Sequence, residues 1–306
     1  MIQNATNDVF NRLQIRTRRE RASSSYHEVE FLKNRALEDI ADRLASTTRK
    51  FSKVLVLGGY SPNTRQVLAP YCDTLIETDF AASRLSGAPG LVAAADEEWL
   101  PFKDESFDLV VSPLALHWVN DLPGTLIQIN RALKPDGFFV GAMAGGASFQ
   151  ELRLSLLRAE AEVTGGAEMR VSPFADAADL SGLLQRAGLA LPVSDRDRMT
   201  IRYDSIFDMF RDLQAAGETH SPFVAGRRPL SRRVLMRAAE IYAEDYSDPD
   251  GRLRVTVDLV WMTGWAPHVS QPKPKRPGSA KVSMAEALGV REQSAGEKTG
   301  LKGTGR

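Results

Sequence analysis

The chain is poor in the residue types that announce many chemistries. Its single cysteine, Cys72, excludes an internal disulfide and leaves no thiolate cluster for a metal. Beside Tyr71 it reads as a small buried side chain. The four histidines, His27, His117, His220 and His268, are scattered, and none stands in a His-x-Asp or His-x-Glu pair. A two-histidine, one-carboxylate iron site is therefore not legible, and no metal is expected. Long apolar runs are also missing. The longest weakly polar stretches, 109–119 and 138–147, contain Ser, Pro, His or several Gly and fall short of the roughly 18 residues a membrane helix needs. The start has no apolar signal core, and Asp8 and Glu20 sit badly in an acid-poor mitochondrial presequence. These absences predict a bacterial cytoplasmic protein without a transmembrane segment.

Net charge is absent too, yet charge is unevenly placed. Residues 1–50 carry ten Lys and Arg against seven Asp and Glu, residues 51–265 carry 21 against 29, and residues 266–306 carry eight against three. This divides the chain into a basic helical arm (1–50), an acidic domain (51–265) and a basic tail (266–306). The tail is rich in Pro, Lys, Gly and Ser and is expected to be disordered. Arg12, Arg16, Arg18, Arg19 and Arg21 form the densest positive cluster, which reads as a solvated helix face or a protein-docking arm. Nucleic acid is not an expected partner, because an acidic core repels phosphates and no nucleic-acid module is recognisable.

With 43% apolar and 25% charged residues in 306, the chain can bury a full core. Helices are predicted over 9–21 and 27–45, the second from Val29, Leu32, Ala36, Leu37, Ile40 and Leu44 at helical spacing. Strands are predicted over 53–57, 74–77, 91–95, 109–112 and 138–142, with helices 64–68 and 122–133 between them. Such alternation implies a parallel α/β sheet with right-handed crossovers. Helices 148–163 and 178–187 follow, then a strand over 200–203. Helices 205–216 and 231–246 form an insertion before the strand-like run 253–261, expected to lie over the ligand crevice as a cap.

Open parallel sheets bind ligands outside the carboxyl ends of their strands. Gly58 and Gly59 end the first strand, Asp79 with Phe80 the second, and Ser112-Pro113-Leu114 the fourth, while Asp96 and Glu97 lie in the loop after the third. Glycines there let backbone N–H groups and a helix N-terminus approach a carboxylate. Asp79 is either a ligand for ribose hydroxyls or a helix cap, and Asp96 carries a similar pair of readings for adenine. His117, beside Trp118 at the start of the next helix, is a candidate general base, against its reading as a packed structural histidine.

This arrangement resembles the class I S-adenosylmethionine (SAM) methyltransferases, whose Rossmann-like sheet is mostly parallel and seven-stranded. Tyr60 and Pro62 stand where that family's first loop has further glycines, and Val56 where it has an acid. Ser112-Pro113-Leu114-Ala115 lacks the signatures of DNA-amine and protein-arginine methyltransferases. A closer resemblance lies in ADEEWLPFKDESFDLVVSPLALHWVNDLPGTLIQINRALKPDGFFVGAM (95–143), SFQELRLSLLRAEAE, SPFADAADLSGLLQRAGL, MFRDLQAAGE and the tail RPGSAKVS. With the arginine-rich start, these are similar to the complex I assembly factor 5 family of mitochondria and alphaproteobacteria over roughly residues 8–288. The resemblance implies SAM as cofactor and a role in respiratory complex I assembly. It also implies hydroxylation or methylation of a protein, the iron–sulfur subunit near the quinone site, reached at the inner membrane through that partner. Malonyl-acyl carrier protein or small-molecule O-methyl transfer is the alternative enzyme reading. A non-catalytic assembly chaperone is the third.

Overall fold

The computed structural model describes residues 8–47, 49–58, 61–219, 229–272, 279 and 282–291. It divides into two compact units, Met1–His268 and Val269–Arg306. The first is a seven-stranded sheet of order β3-β2-β1-β4-β5-β7-β6. Its strands are β1 (Phe51–Leu57), β2 (Cys72–Asp79), β3 (Leu91–Ala94), β4 (Phe107–Pro113), β5 (Leu133–Gly145), β6 (Ala190–Tyr203) and β7 (Leu253–Trp265). All neighbouring pairs run parallel except those made by β7, which is antiparallel to both β5 and β6.

The central strands are continuous apolar runs because both faces are covered. Val54 and Val56 of β1 join Leu109, Val111 and Val140 in one core. Leu55 and Leu57 turn to the other, with Val110 and Phe139. On the first face lie α2 (Phe31–Ala45), α5 (Gln150–Thr164) and α8 (Arg232–Tyr246), through Ile40, Leu156 and Ile241. On the second lie α4 (Leu122–Ala132) and α6 (Ala177–Arg186), through Leu126 and Leu184. Burying each such side chain contributes about 1.5–3 kcal/mol.

Three departures from the sequence expectations bear on function. The cap is divided: α7 (Ile206–Ala216) reaches the crevice, whereas α8 packs into the core beside α5. His117 belongs to a single 3-10 turn, Leu116–Trp118, and α4 starts later, capped by Asp121, which accepts from Gly124 N at 2.8 Å. The basic arm is part of the first unit: in α1 (Arg12–Arg21) Arg19 is only 1% exposed and Arg12 turns inward with it, while Arg16 and Arg21 stay on the exposed face. The remaining helix of this unit, α3 (Pro62–Leu68), is capped by Ser61, with proline in its first turn.

Within the second unit, the segment expected to be disordered contains α9 (Met284–Leu288). Ser283 Oγ accepts from Glu286 N, and Gly289 ends the helix at φ 64°.

Candidate functional site

The strand order reverses between β1 and β4, and the crevice opens beyond their carboxyl ends. Gly58 sits there with φ +91°, and a Cβ on it would lie 2.0 Å from that of Ala115. Conformation and space both demand glycine. Its amide donates to Thr78 O at 3.0 Å, and its carbonyl accepts from Lys33 Nζ at 2.9 Å. Gly59 and Tyr60 lie outside the described residues. Burial drives the Lys33 ammonium down to about 7, with Asp79 opposing and Arg84 adding to the fall. Leu114, after Ser112 and Pro113, holds the left-handed conformation at φ 61° and lines the cavity below. Such strain outside glycine persists only where surrounding structure imposes it.

Asp79 is fully buried. Its Oδ1 accepts from Ala81 N at 2.6 Å, and Oδ2 has no hydrogen-bond partner. Burial pushes its carboxyl up, and Arg19 and Arg84 offset this only in part. Ser112 Oγ is likewise buried without a partner. Natively folded chains leave few such atoms unpaired, so each calls for an explanation.

The acidic loop is already engaged. Arg12 Nη2 donates to Asp96 Oδ1 and to Glu97 Oε2, both at 2.5 Å, and its guanidinium carbon lies 4.2 Å from the centroid of the Phe80 ring. Arg19 Nη1 donates to Glu97 Oε1 at 3.3 Å. Asn120 Oδ1 anchors the start of the segment by accepting from Val9 N and Phe10 N, and Phe10 meets Trp118 edge-on at 5.2 Å. Helix α1 therefore lies across the loop that the sequence assigns to adenosine. Its arginines satisfy carboxylates the sequence reading left open for a ligand.

His117 Nε2 stands 3.0 Å from Glu218 Oε2, and Trp118 Nε1 donates to the same oxygen. A proton on Nε2 leaves Nδ1, which is buried and unpartnered, as an acceptor. Glu218 follows α7 and was missed by the sequence reading. Burial opposes its ionisation, but Arg19, the His117 hydrogen bond and Arg84 outweigh that and hold the carboxyl below the usual range. Gly217 (φ +72°) lets the chain approach α1 closely, since a Cβ there would stand 3.0 Å from Arg19 Cα.

An inner cavity of about 120 Å³ reaches Gly58, Leu114 and His117, and Asp212 of α7 also lines it. An outer cleft of about 880 Å³ shares Trp118, Phe149, Phe174, Leu213 and Glu218 with it, so the two adjoin at these side chains. Cofactor sites usually occupy about 300–1,000 Å³, so the inner space as it stands is too small for a whole nucleotide cofactor. Among the described residues no three His, Cys, Asp or Glu side chains group as metal ligands. No helix among them is long and apolar enough to cross a membrane.

A methyltransferase domain family matches residues 37–141. The chain is 39% identical over 287 residues to the mitochondrial arginine-hydroxylase NDUFAF5 of Danio rerio, covering 91% of this chain and 89% of that protein. It is 33% identical over 256 residues to a malonyl-[acyl-carrier protein] O-methyltransferase of Halorhodospira halophila, covering 80% and 84% respectively. Among solved structures, the YcgJ protein of Bacillus subtilis superposes with a TM-score of 0.54 at 15% identity, over 76% of this chain and 99% of that one. That likeness is one of fold alone.

Proposed function

The chain belongs to the NDUFAF5 arginine-hydroxylase family, and on that footing we propose that it modifies an arginine of a respiratory complex I subunit, with SAM held at the carboxyl ends of β1, β2 and β4. The observation that carries the donor reading is the pair of buried, unpartnered oxygens, Asp79 Oδ2 and Ser112 Oγ, beside the Gly58 turn. They suit a ligand bearing hydroxyl and amine groups. In this reading Asp79 accepts from the ribose, Asp96 and Glu97 face the adenine, and Phe80 offers its ring. Gly58 sets the tight turn beside the methionine end, its own amide and carbonyl being held by Thr78 and Lys33, Gly59 is the second glycine proposed there, and Ser112, Pro113 and Leu114 form the shelf beneath it.

When bound, SAM supplies an electrophilic methyl group. The chain's own residues exclude water and hold protons. His117 Nδ1 is placed to accept a proton from the substrate, and Glu218 keeps the ring oriented. The adenosine half is available only when Arg12 leaves Asp96 and Phe80. The expected partner is the iron–sulfur subunit near the quinone site, met at the membrane without a span in this chain's described residues.

Calorimetry with SAM tests the donor assignment. Hydrogen bonds to charged groups contribute about 1.5–3 kcal/mol, so Asp79→Asn, which keeps the buried shape, should weaken binding about ten- to a hundredfold. Unchanged affinity removes Asp79 from the site. Mass spectrometry of the subunit from wild-type and deletion strains reads whether a methyl group or an oxygen is added. Deletion should lower rotenone-sensitive NADH dehydrogenase without imposing a biotin requirement. A biotin requirement with normal complex I would overturn the proposal in favour of the acyl-carrier reading that the malonyl-[acyl-carrier protein] relative represents.

A further inference from the structure

Two carboxylates face the inner cavity from α7 and its end, Asp212 and Glu218, and their surroundings differ. Glu218 is paired with Arg19 and His117. Asp212 is half-buried and makes no ion pair among the described residues. The cations lining the same cavity are engaged elsewhere. Lys33 Nζ donates to Gly58 O, while Arg84 donates to Ala216 O and stacks on Tyr26 at 4.2 Å. Tyr203 neighbours Asp212, and its hydroxyl is pushed up by burial first and then by the Asp212 charge. A neutral hydroxyl can donate to a carboxylate but cannot balance its charge.

Asp212 thus stands at a largely apolar cavity without a cation paired to it among the described residues, a position in which a ligand that brings a cation finds a partner. The walls specify what kind of cation. Tyr26, Phe31, Trp118, Phe149, Phe174 and Tyr203 line the cavity, and aromatic faces attract cations, guanidinium especially. At about 120 Å³ the inner cavity is small beside the outer cleft of about 880 Å³, of a size for a side chain and not for a polypeptide segment. The outer cleft, which shares Trp118, Phe149 and Phe174 with it, has room for the polypeptide that carries such a side chain. The chain uses the same chemistry on itself, where Arg12 lies over Phe80 and bonds Asp96 and Glu97.

We propose that Asp212 receives the guanidinium of the substrate arginine, which enters the inner cavity between the aromatic walls while its backbone lies in the outer cleft. The assignment rests on the reading of the chain as an arginine-modifying protein. It makes Asp212, from the MFRDLQAAGE segment, the residue that selects arginine over neutral side chains of the same shape.

The test uses the full chain and two peptides, acetyl-Gly-Gly-Arg-Gly-Gly-amide and its twin with citrulline, whose ureido group is neutral and nearly isosteric. Dissociation constants are read by ligand-observed NMR on wild type, Asp212→Asn and Asp212→Glu. Wild type should prefer the arginine peptide about tenfold, as a charge-assisted pair at a partly wet site would give. Asp212→Asn should bring the ratio near one with citrulline affinity unchanged, and Asp212→Glu should restore much of the preference. A retained preference in Asp212→Asn overturns the assignment to Asp212 alone. No preference in the wild type overturns this inference and the arginine reading together. Should Asp212→Asn prove unfolded by circular dichroism, Asp212→Ser and Asp212→Gln take its place beside Asp212→Glu: the inference stands only if the neutral variant that folds brings the ratio near one while Asp212→Glu keeps much of the preference, and a preference retained in that neutral variant overturns it.

Discussion

Replacing Arg12 by Gln should strengthen SAM binding, because the Arg12 guanidinium occupies Asp96, Glu97 and Phe80, the residues proposed to receive the adenosine end. Two charge-assisted hydrogen bonds at 2.5 Å and a ring contact at 4.2 Å hold it, with its side chain only 12% exposed, so solvent screening is slight. Hydrogen bonds to charged groups contribute about 1.5–3 kcal/mol and a cation–π contact about 0.5–1. Displaced Arg12 regains water, as does its partner, so the lower ends apply; only the Asp96 bond and the Phe80 contact need be given up, and about 1.5 with about 0.5 makes a net cost to an incoming donor of about 2 kcal/mol, or roughly thirtyfold in affinity. Glu97 keeps Arg19 in the variant, which spares the fold an uncompensated buried charge. Calorimetric titration of wild type, Arg12→Gln and a control, Arg16→Gln, is the assay. Arg16 is half exposed and pairs with Glu20 within its own helix, so its loss should change nothing. Weaker binding by Arg12→Gln would refute the reasoning, since Arg12 would then be a ligand of the donor instead of its competitor.

Lys33, brought down to about 7 by burial against an unfolded value near 10.5, is protonated in the unfolded chain but not in the folded one between those limits. Stability should therefore rise with pH across that window, by at most about 1.4 kcal/mol per pH unit, and Lys33→Met should lose that part of the slope. Urea midpoints near pH 7 and pH 9 measure it, and parallel slopes in the two proteins would count against it. Gly58→Ala forces a side chain into a positive φ and onto Ala115. It should lower stability by several kcal/mol, the sum of about 1–2 for the backbone and 1–3 for overpacking. Thermal melting checks this, and an unchanged melting temperature would mean that the turn can relax.

The sheet was legible wherever strands are buried on both faces. Runs such as Val54 to Leu57 and Leu109 to Val111 have nowhere else to go than a covered parallel sheet. The edge strand was not. Along β6, exposed and half-buried residues alternate and Asp195, Arg196, Asp197 and Arg198 read as loop, so only 200–203 was expected where 190–203 forms. The sequence placed Gly58, Asp79, Asp96 and Ser112 to Leu114 at or just after strand ends, where the fold has them, and Gly58 and Leu114 reach the inner cavity. Their partners were not legible, because Arg12 meets Asp96 across 84 positions and His117 meets Glu218 across 101. Glu218 had one local signal, the Gly217 that ends α7. Nothing local distinguished Asp212 from Asp208, whose carboxylate in the first turn of the same helix accepts from the hydroxyl of the capping Ser205 and from Arg211.

Helix α1 is completed by contacts with a segment roughly two hundred positions further along the chain. Arg18 donates to Thr219 O across 201 positions, and Ser25 to Ala215 O across 190. At roughly 5–20 residues per second, a ribosome needs about 10–40 seconds to deliver those acceptors after α1 emerges. Through that interval α1 can already reach the acidic loop, whose partners lie 78 to 85 positions away, but not the end of α7. Its seat is thus built in two stages separated by most of the domain's synthesis, and the side of the cleft formed by the end of α7 is the later one.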